Sequence, residues 1–137
     1  MLKKIIKFGI TGGLGTITNL LLFFIFAYTL HINPTVVSFF CFLVSCTQNY
    51  CINHLWTFRF ENKDVPLSFK LWWKFILGSL VGFAINLSML TVLLNIYQSW
   101  PLKVIPQGIG ILAGMIFNFI FSNFFIFKKE KSNESEN

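Results

Sequence analysis

The chain has 137 residues, enough for one domain, of which 55% are apolar, 18% aromatic and only 12% charged. A soluble helical bundle needs a charged face on every helix, and this composition excludes one. The net charge of +6 does not point to nucleic acid, because the basic residues cluster at a few places and leave long stretches uncharged.

Lys3, Lys4 and Lys7 precede an apolar run that continues to His31-Ile32-Asn33-Pro34. It imitates a secretory signal, but the apolar core of a signal is about 7 to 15 residues, and this run is a retained first span at roughly 8–30. Residues 8–58 contain no Asp, Glu, Lys or Arg. A bilayer core takes about 20 helical residues per crossing, so this stretch fits two spans. Pro34 divides it, since proline disfavours helix before it and suits a helix start; the second span is predicted at 34–57. The loop Thr57 to Trp73 mixes Arg59, Glu61, Lys63, Asp64 and Lys70 with Phe58, Phe60, Pro66 and Phe69, a composition for the headgroup level. Residues 75–127 hold only Lys103, flanked by Pro101 and Pro106, which predicts spans at 72–97 and 104–127. Beyond Phe127 the chain has nothing to bury, and 128–137 is expected to be a disordered cytoplasmic tail.

Threaded four times, the chain places Lys3, Lys4, Lys7, Arg59, Lys63, Lys70, Lys74, Lys128, Lys129 and Lys131 on one side and Lys103 alone on the other. The positive-inside rule then puts both termini in the cytoplasm. Trp56, Trp72 and Trp73 lie near the inner interface and Tyr28, Tyr97 and Trp100 near the outer one, with Tyr50 inside span two.

An internal repeat sets the architecture. Lys7-Phe8, Gly15 and Asn19-Leu20 recur as Lys74-Phe75, Gly82 and Asn86-Leu87; Ser45, Asn49-Tyr50, Trp56 and Phe58 correspond to Gly114, Asn118-Phe119, Phe125 and Phe127. Two spans per copy give both copies the same orientation. The predicted fold is an all-α membrane protein in which a single domain, 1–127, holds two tandem helical hairpins, repeat one about 7–58 and repeat two about 74–127.

Each span carries a small residue and an asparagine four positions apart: Gly15 and Asn19, Ser45 and Asn49, Gly82 and Asn86, Gly114 and Asn118. That spacing puts notch and amide on one helix face. Counted from the flanking basic residues at about 1.5 Å per residue, all four amides lie near the midplane. Two readings stand. Small residues let helices approach and asparagines bond across the interface; or the layer lines a polar path for a headgroup, in which uncharged donors stabilise hydroxyls or a phosphate without trapping them. Lys7, Arg59, Lys74 and Lys128, at the inner mouths of the helices, are either topology anchors or a phosphate site, Arg59 foremost.

Other patterns carry less. Gly9-x-x-Gly12-Gly13-x-Gly15 lacks the preceding strand and the Gly-Lys-Ser/Thr of a phosphate loop. Cys41, Cys46 and Cys51 face different sides of their helix and form no disulfide framework or metal set. His31 and His54 read as interfacial polar residues. With every acid outside the spans, proton coupling and soluble-enzyme chemistry both lack their parts. No catalytic residue, metal or cofactor is expected.

The sequence resembles the GtrA-like family of small bacterial membrane proteins through Lys7-Phe8-Gly9-x-x-Gly12 leading to Asn19, Asn49-Tyr50-x-x-Asn53-x-x-Trp56-Thr57-Phe58, and Asn118-Phe119-x-x-x-Asn123-x-x-x-Phe127. The resemblance covers about residues 5–128. It implies a multi-pass protein of the bacterial cytoplasmic membrane that flips an undecaprenyl-phosphate-linked sugar for cell-surface polysaccharide or teichoic acid glycosylation, alongside membrane glycosyltransferases. A flippase need shield only the headgroup, so four helices, or eight in a homodimer, are enough. The second repeat has Ser122-Asn123 for Asn53-His54 and Phe125-Ile126 for Trp56-Thr57, so the halves are not expected to be equivalent. The alternatives are a non-transporting subunit that recruits or stabilises a glycosyltransferase, and a small multidrug exporter, which would need a membrane carboxylate.

Overall fold

The computed structural model describes residues 1–97 and 104–127; the expectations about Trp100, Pro101, Lys103, Lys128 and the 128–137 tail lie outside them. Among the described residues all regular structure is helical. Helix α1 is Leu2–Phe23, α2 is Pro34–Ile52, α3 is Phe69–Ile96 and α4 is Val104–Phe121. Four of the described helices are long and apolar enough to cross a membrane.

Local chemistry explains the boundaries. The Met1 carbonyl accepts from the backbone N–H groups of Lys4 and Ile5, so α1 takes in the basic residues and begins earlier than the apolar run. At α2, proline holds the first position; the Asn33 carbonyl accepts from Val37 N–H at 3.0 Å and its side-chain oxygen from Val36 N–H at 3.4 Å, a cap that the preceding turn reaches with His31 at φ 54°. Ser68 caps α3 by accepting from Leu71 N–H at 3.2 Å, which moves the start to Phe69 rather than 72. Three helices end in wider, π-wound segments: Phe24–Thr29, Asn53–Thr57 and Ser122–Ile126. The last two are equivalent, with Phe58 N–H donating to the Asn53 carbonyl and Phe127 N–H to that of Ser122, both at 2.8 Å.

α1 packs along α2 and α3 along α4, and the two hairpins touch more sparingly, α2 against α3 and, more thinly, α1 against α4. The surface is inverted relative to a soluble bundle. Ile17, Leu20, Phe39, Leu80, Leu112 and Ile116 are exposed while Thr11, Ser45, Asn53, Thr57 and Ser122 are buried. Lipid tails solvate leucine as well as a core does, so the interior goes to small and polar side chains that pack and bond. This is a multi-pass membrane protein.

One end, where α1 and α3 begin and α2 and α4 finish, is sealed by Phe8, Tyr50, Phe58, Phe75, Phe119 and Phe127. At its centre Phe58 and Phe127, one from each hairpin and both fully buried, stack at 4.7 Å between ring centroids. Phe8 meets Phe119 edge-on at 5.6 Å.

The loop between the hairpins folds back on the end of α2. The Tyr50 hydroxyl donates to the Ser68 carbonyl and accepts from Ser68 N–H, each at 3.1 Å. Asn62 donates to the His54 carbonyl at 3.4 Å, and Lys4 pairs with Glu61. His54 is 3% exposed, with Nε2 2.9 Å from the Val65 carbonyl. Trp72 is half-buried and donates its indole N–H to Thr47 Oγ1 at 2.9 Å, tying α3 to α2.

Candidate functional site

The small-residue and asparagine pairs meet inside each hairpin. A Cβ on Gly15 would fall on the Asn49 amide, and one on Gly82 on the Asn118 amide. In the other direction, Asn19 Nδ2 donates to Ser45 Oγ at 3.4 Å, while Asn86 packs against Gly110 and Gly114. Gly15, Ser45 and Gly82 thus each receive the amide of the facing helix, whereas the Asn86 amide lies one turn from Gly114, against Gly110. The geometry follows from antiparallel packing: two helices carrying the same notch-then-amide order place the notch of one opposite the amide of the other.

The second hairpin is the closer packed. Where the first has Ser45, it has Gly114, and the Gly82 carbonyl lies 2.5 Å from where a Cβ on Gly114 would sit. Ser45 instead occupies the gap with its hydroxyl, which takes the Asn19 donor and donates to the Phe42 carbonyl at 3.1 Å.

Between the hairpins, above the aromatic seal, lies a cavity of about 450 Å³. Its polar lining is Thr16, Asn49, Asn53, Ser79, Asn86 and Asn118, and among the described residues no charged side chain lines it. Phe8 and Phe75 belong to both lining and seal, so the cavity is floored at the Lys7 end. Its rim residues Gly13, Phe83 and Ile111 are exposed. The thin α1–α4 contact passes through Gly9, where a Cβ would sit 3.8 Å from Met115 Sδ.

Three of the four midplane asparagines share this cavity; Asn19, turned to Ser45, does not line it. Asn49, Asn86 and Asn118 each hold a buried Oδ1 with no hydrogen-bond partner, as does Asn53. An unmet acceptor costs about 1–3 kcal/mol, which a ligand carrying donors would recover. Asn53 was not among the site residues expected from the sequence. Its position one turn from Asn49 was the available signal.

The basic residues occupy the sealed end in different ways. Lys7 Nζ donates to the Trp56 carbonyl at 3.4 Å and lies 5.0 Å from the centre of the Trp56 ring, which satisfies the end of α2. Arg59 is exposed, its guanidinium 5.4 Å from the Phe60 ring centre. It lines a second hollow of about 360 Å³ with His54, Asn62, Lys63 and Pro66. Lys74 is exposed, and neither it nor Lys7 lines either hollow; Lys128 lies outside the described residues. Arg59 and Lys63 together give this smaller hollow a positive lining, in contrast to the neutral one between the hairpins.

A search of the curated proteins finds no match to the chain. Residues 7–127 match the family model described as GtrA/DPMS, transmembrane domain. That span takes in both hairpins, the asparagine layer and the aromatic seal, and the chain belongs to the GtrA/DPMS transmembrane-domain family.

Proposed function

We propose that this protein translocates an undecaprenyl-phosphate-linked sugar across the bacterial cytoplasmic membrane, for glycosylation of a cell-surface polysaccharide or teichoic acid. The observation that carries the reading is the neutral, amide-lined cavity between two sparingly joined hairpins. The prenyl tail stays in lipid throughout, so the protein has only the headgroup to shield. Asn49, Asn86 and Asn118 line its route, Asn19 supports the first hairpin, and Arg59, with Lys7, Lys74 and Lys128, gathers the phosphate at the cytoplasmic mouth. A membrane glycosyltransferase supplies the glycolipid and an outward-facing one consumes it. The phosphodiester is an anion, and an inside-negative potential favours its outward movement by about 2.3 kcal/mol per 100 mV. Transport therefore runs without a coupling carboxylate.

The test is flipping of labelled undecaprenyl-phosphate hexoses in proteoliposomes containing only this protein. Wild type is expected to transport one or more of them, faster with the potential directed to pull anions out, and Asn86→Leu/Asn118→Leu to transport at least tenfold more slowly while retaining its helix content.

A second reading, a subunit that recruits a glycosyltransferase, is favoured by the docked loop, which presents Phe60 and Phe69 at 77% and 76% exposure. No transport by folded wild type at either potential, together with loss of glycosyltransferase co-purification in Phe60→Ser/Phe69→Ser, would replace the first reading with this one.

A further inference from the structure

Apart from Glu61 Oε2 in the loop, the buried side-chain oxygens without partners among the described residues are not scattered. Asn49 Oδ1, Asn53 Oδ1 and Thr57 Oγ1 follow one another at four-residue steps down α2 into its π-wound end. Four residues overshoot an α-helical turn by about 40°, so a file at this spacing would drift off its face. In the wider π-turn four residues fall short of a full turn, which offsets that drift and returns Thr57 toward the line of Asn49, below the cavity lining. Asn86 and Asn118 add two further unpartnered acceptors from the other hairpin, and both line the same cavity as Asn49 and Asn53. Asn53 is 1% exposed. Its backbone carbonyl is used by Phe58 N–H, so its side chain is the group left over for a ligand.

We infer that the cavity is a site for the hydroxyl groups of a sugar, with Asn53 at its floor, and that it does not take the phosphodiester. A hydroxyl donates to each waiting oxygen and brings no charge. A phosphodiester has no proton to donate, and among the described residues no lysine or arginine lines the cavity to balance it, whichever way the amides are turned. A bare metal ion would find oxygens but no carboxylate, and would keep its full charge at the depth of the bilayer. The volume, about 450 Å³, falls within the range of small-molecule sites, roughly 300 to 1,000 Å³. The second hairpin has Ser122 and Ile126 at the positions of Asn53 and Thr57, so the file belongs to α2 alone. The glycolipid thus enters with its two polar parts separated, sugar in the neutral cavity and phosphate outside it. This inference rests on the translocation reading for its ligand but is tested apart from it.

The experiment is calorimetric titration of the full chain in lipid nanodiscs with octyl β-glucoside, octyl β-galactoside, octyl α-mannoside and octyl phosphate, each below its micelle threshold. Saturable binding of at least one hexoside is expected, weakened tenfold or more in Asn53→Leu and in Asn118→Leu. Asn53→Ser, which keeps an oxygen and little bulk, is expected to lose less, and it stands in for Asn53→Leu if that variant does not fold. Octyl phosphate is expected to bind no more weakly to the variants than to wild type.

Hexoside binding that is absent, or indifferent to Asn53 and Asn118 substitutions, overturns the inference; so does octyl phosphate binding that these substitutions abolish. A sodium-for-choline exchange that shifts the melting temperature of wild type but not of the variants, with no hexoside binding, makes the cavity a cation site and also overturns it. Flipping that persists in variants without hexoside sensitivity sinks this inference and leaves the translocation reading standing. Hexoside binding without any flipping does the reverse.

Discussion

At the scale of single residues, the glycines divide by what a methyl group would meet. Gly12 and Gly13 face open space, and alanine there removes only the backbone freedom of glycine, an effect of about 1 kcal/mol or less. A methyl on Gly114 would meet the Gly82 carbonyl, which is backbone and has no rotamer to turn away. Gly114→Ala is therefore expected to cost about 1–3 kcal/mol and Gly13→Ala to leave stability within about 1 kcal/mol, as read by thermal unfolding in detergent. Equal effects would mean that the closeness of α3 to α4 is unimportant. Gly15 lies between these cases, since the group it would strike is the Asn49 side chain. The four-residue spacing to Asn19 singled out Gly15 from Gly12 and Gly13 in the sequence; that the notch receives Asn49 is visible only from the facing helix.

At the scale of elements, the ends of α2 and α4 do the organising. An α-helix continued through Asn53 and Ser122 would carry Phe58 and Phe127 round by a different angle; the i→i+5 closure turns both inward to stack. The hydrophobic pattern alone does not reveal such a segment, because one extra residue in a turn leaves the run apolar. The docking of the loop was illegible for a related reason: Tyr50 and His54, near the end of the second span, offer the backbone of Ser68 and Val65 partners that composition does not record. Tyr50→Phe removes one hydroxyl that both donates to and accepts from Ser68. It is expected to destabilise the protein by about 1–2 kcal/mol and to speed amide exchange selectively over residues 62–70. Unchanged exchange there would mean that the loop is held by packing instead.

At the scale of the molecule, tight hairpins and a sparing interface between them make the hairpin the natural moving unit. α1 and α4 meet at Gly9 and Met115, and the proposed translocation past the aromatic seal would require that contact to open. In a chain with Cys41, Cys46 and Cys51 replaced by alanine, Gly9→Cys and Met115→Cys joined by a short reducible linker are expected to flip glycolipid at least tenfold more slowly than the unlinked protein, with recovery on reduction. Transport at full rate while linked would show that the hairpins do not part on that side. The same thin interface explains why sequence reasoning gathered four asparagines into one layer where the structure divides them. Depth along a helix is set by residue count, whereas the direction a side chain takes is set by its neighbour, and Ser45 claims Asn19 where Gly114 leaves Asn86 to the cavity.

Sequence alone was enough to determine the membrane class, the four helices and the breaks between them. The reason is the solvent: lipid demands about 20 apolar residues per crossing, a requirement each segment meets by itself. It also determined that notch and amide share a face, because helical periodicity is local. The tertiary structure decided which notch receives which amide, which acceptors remain unmet, where the seal lies, and that Asn53 floors the cavity. Those outcomes depend on contacts between segments far apart in the chain, and a difference of one hydroxymethyl group, Ser45 against Gly114, is enough to change them.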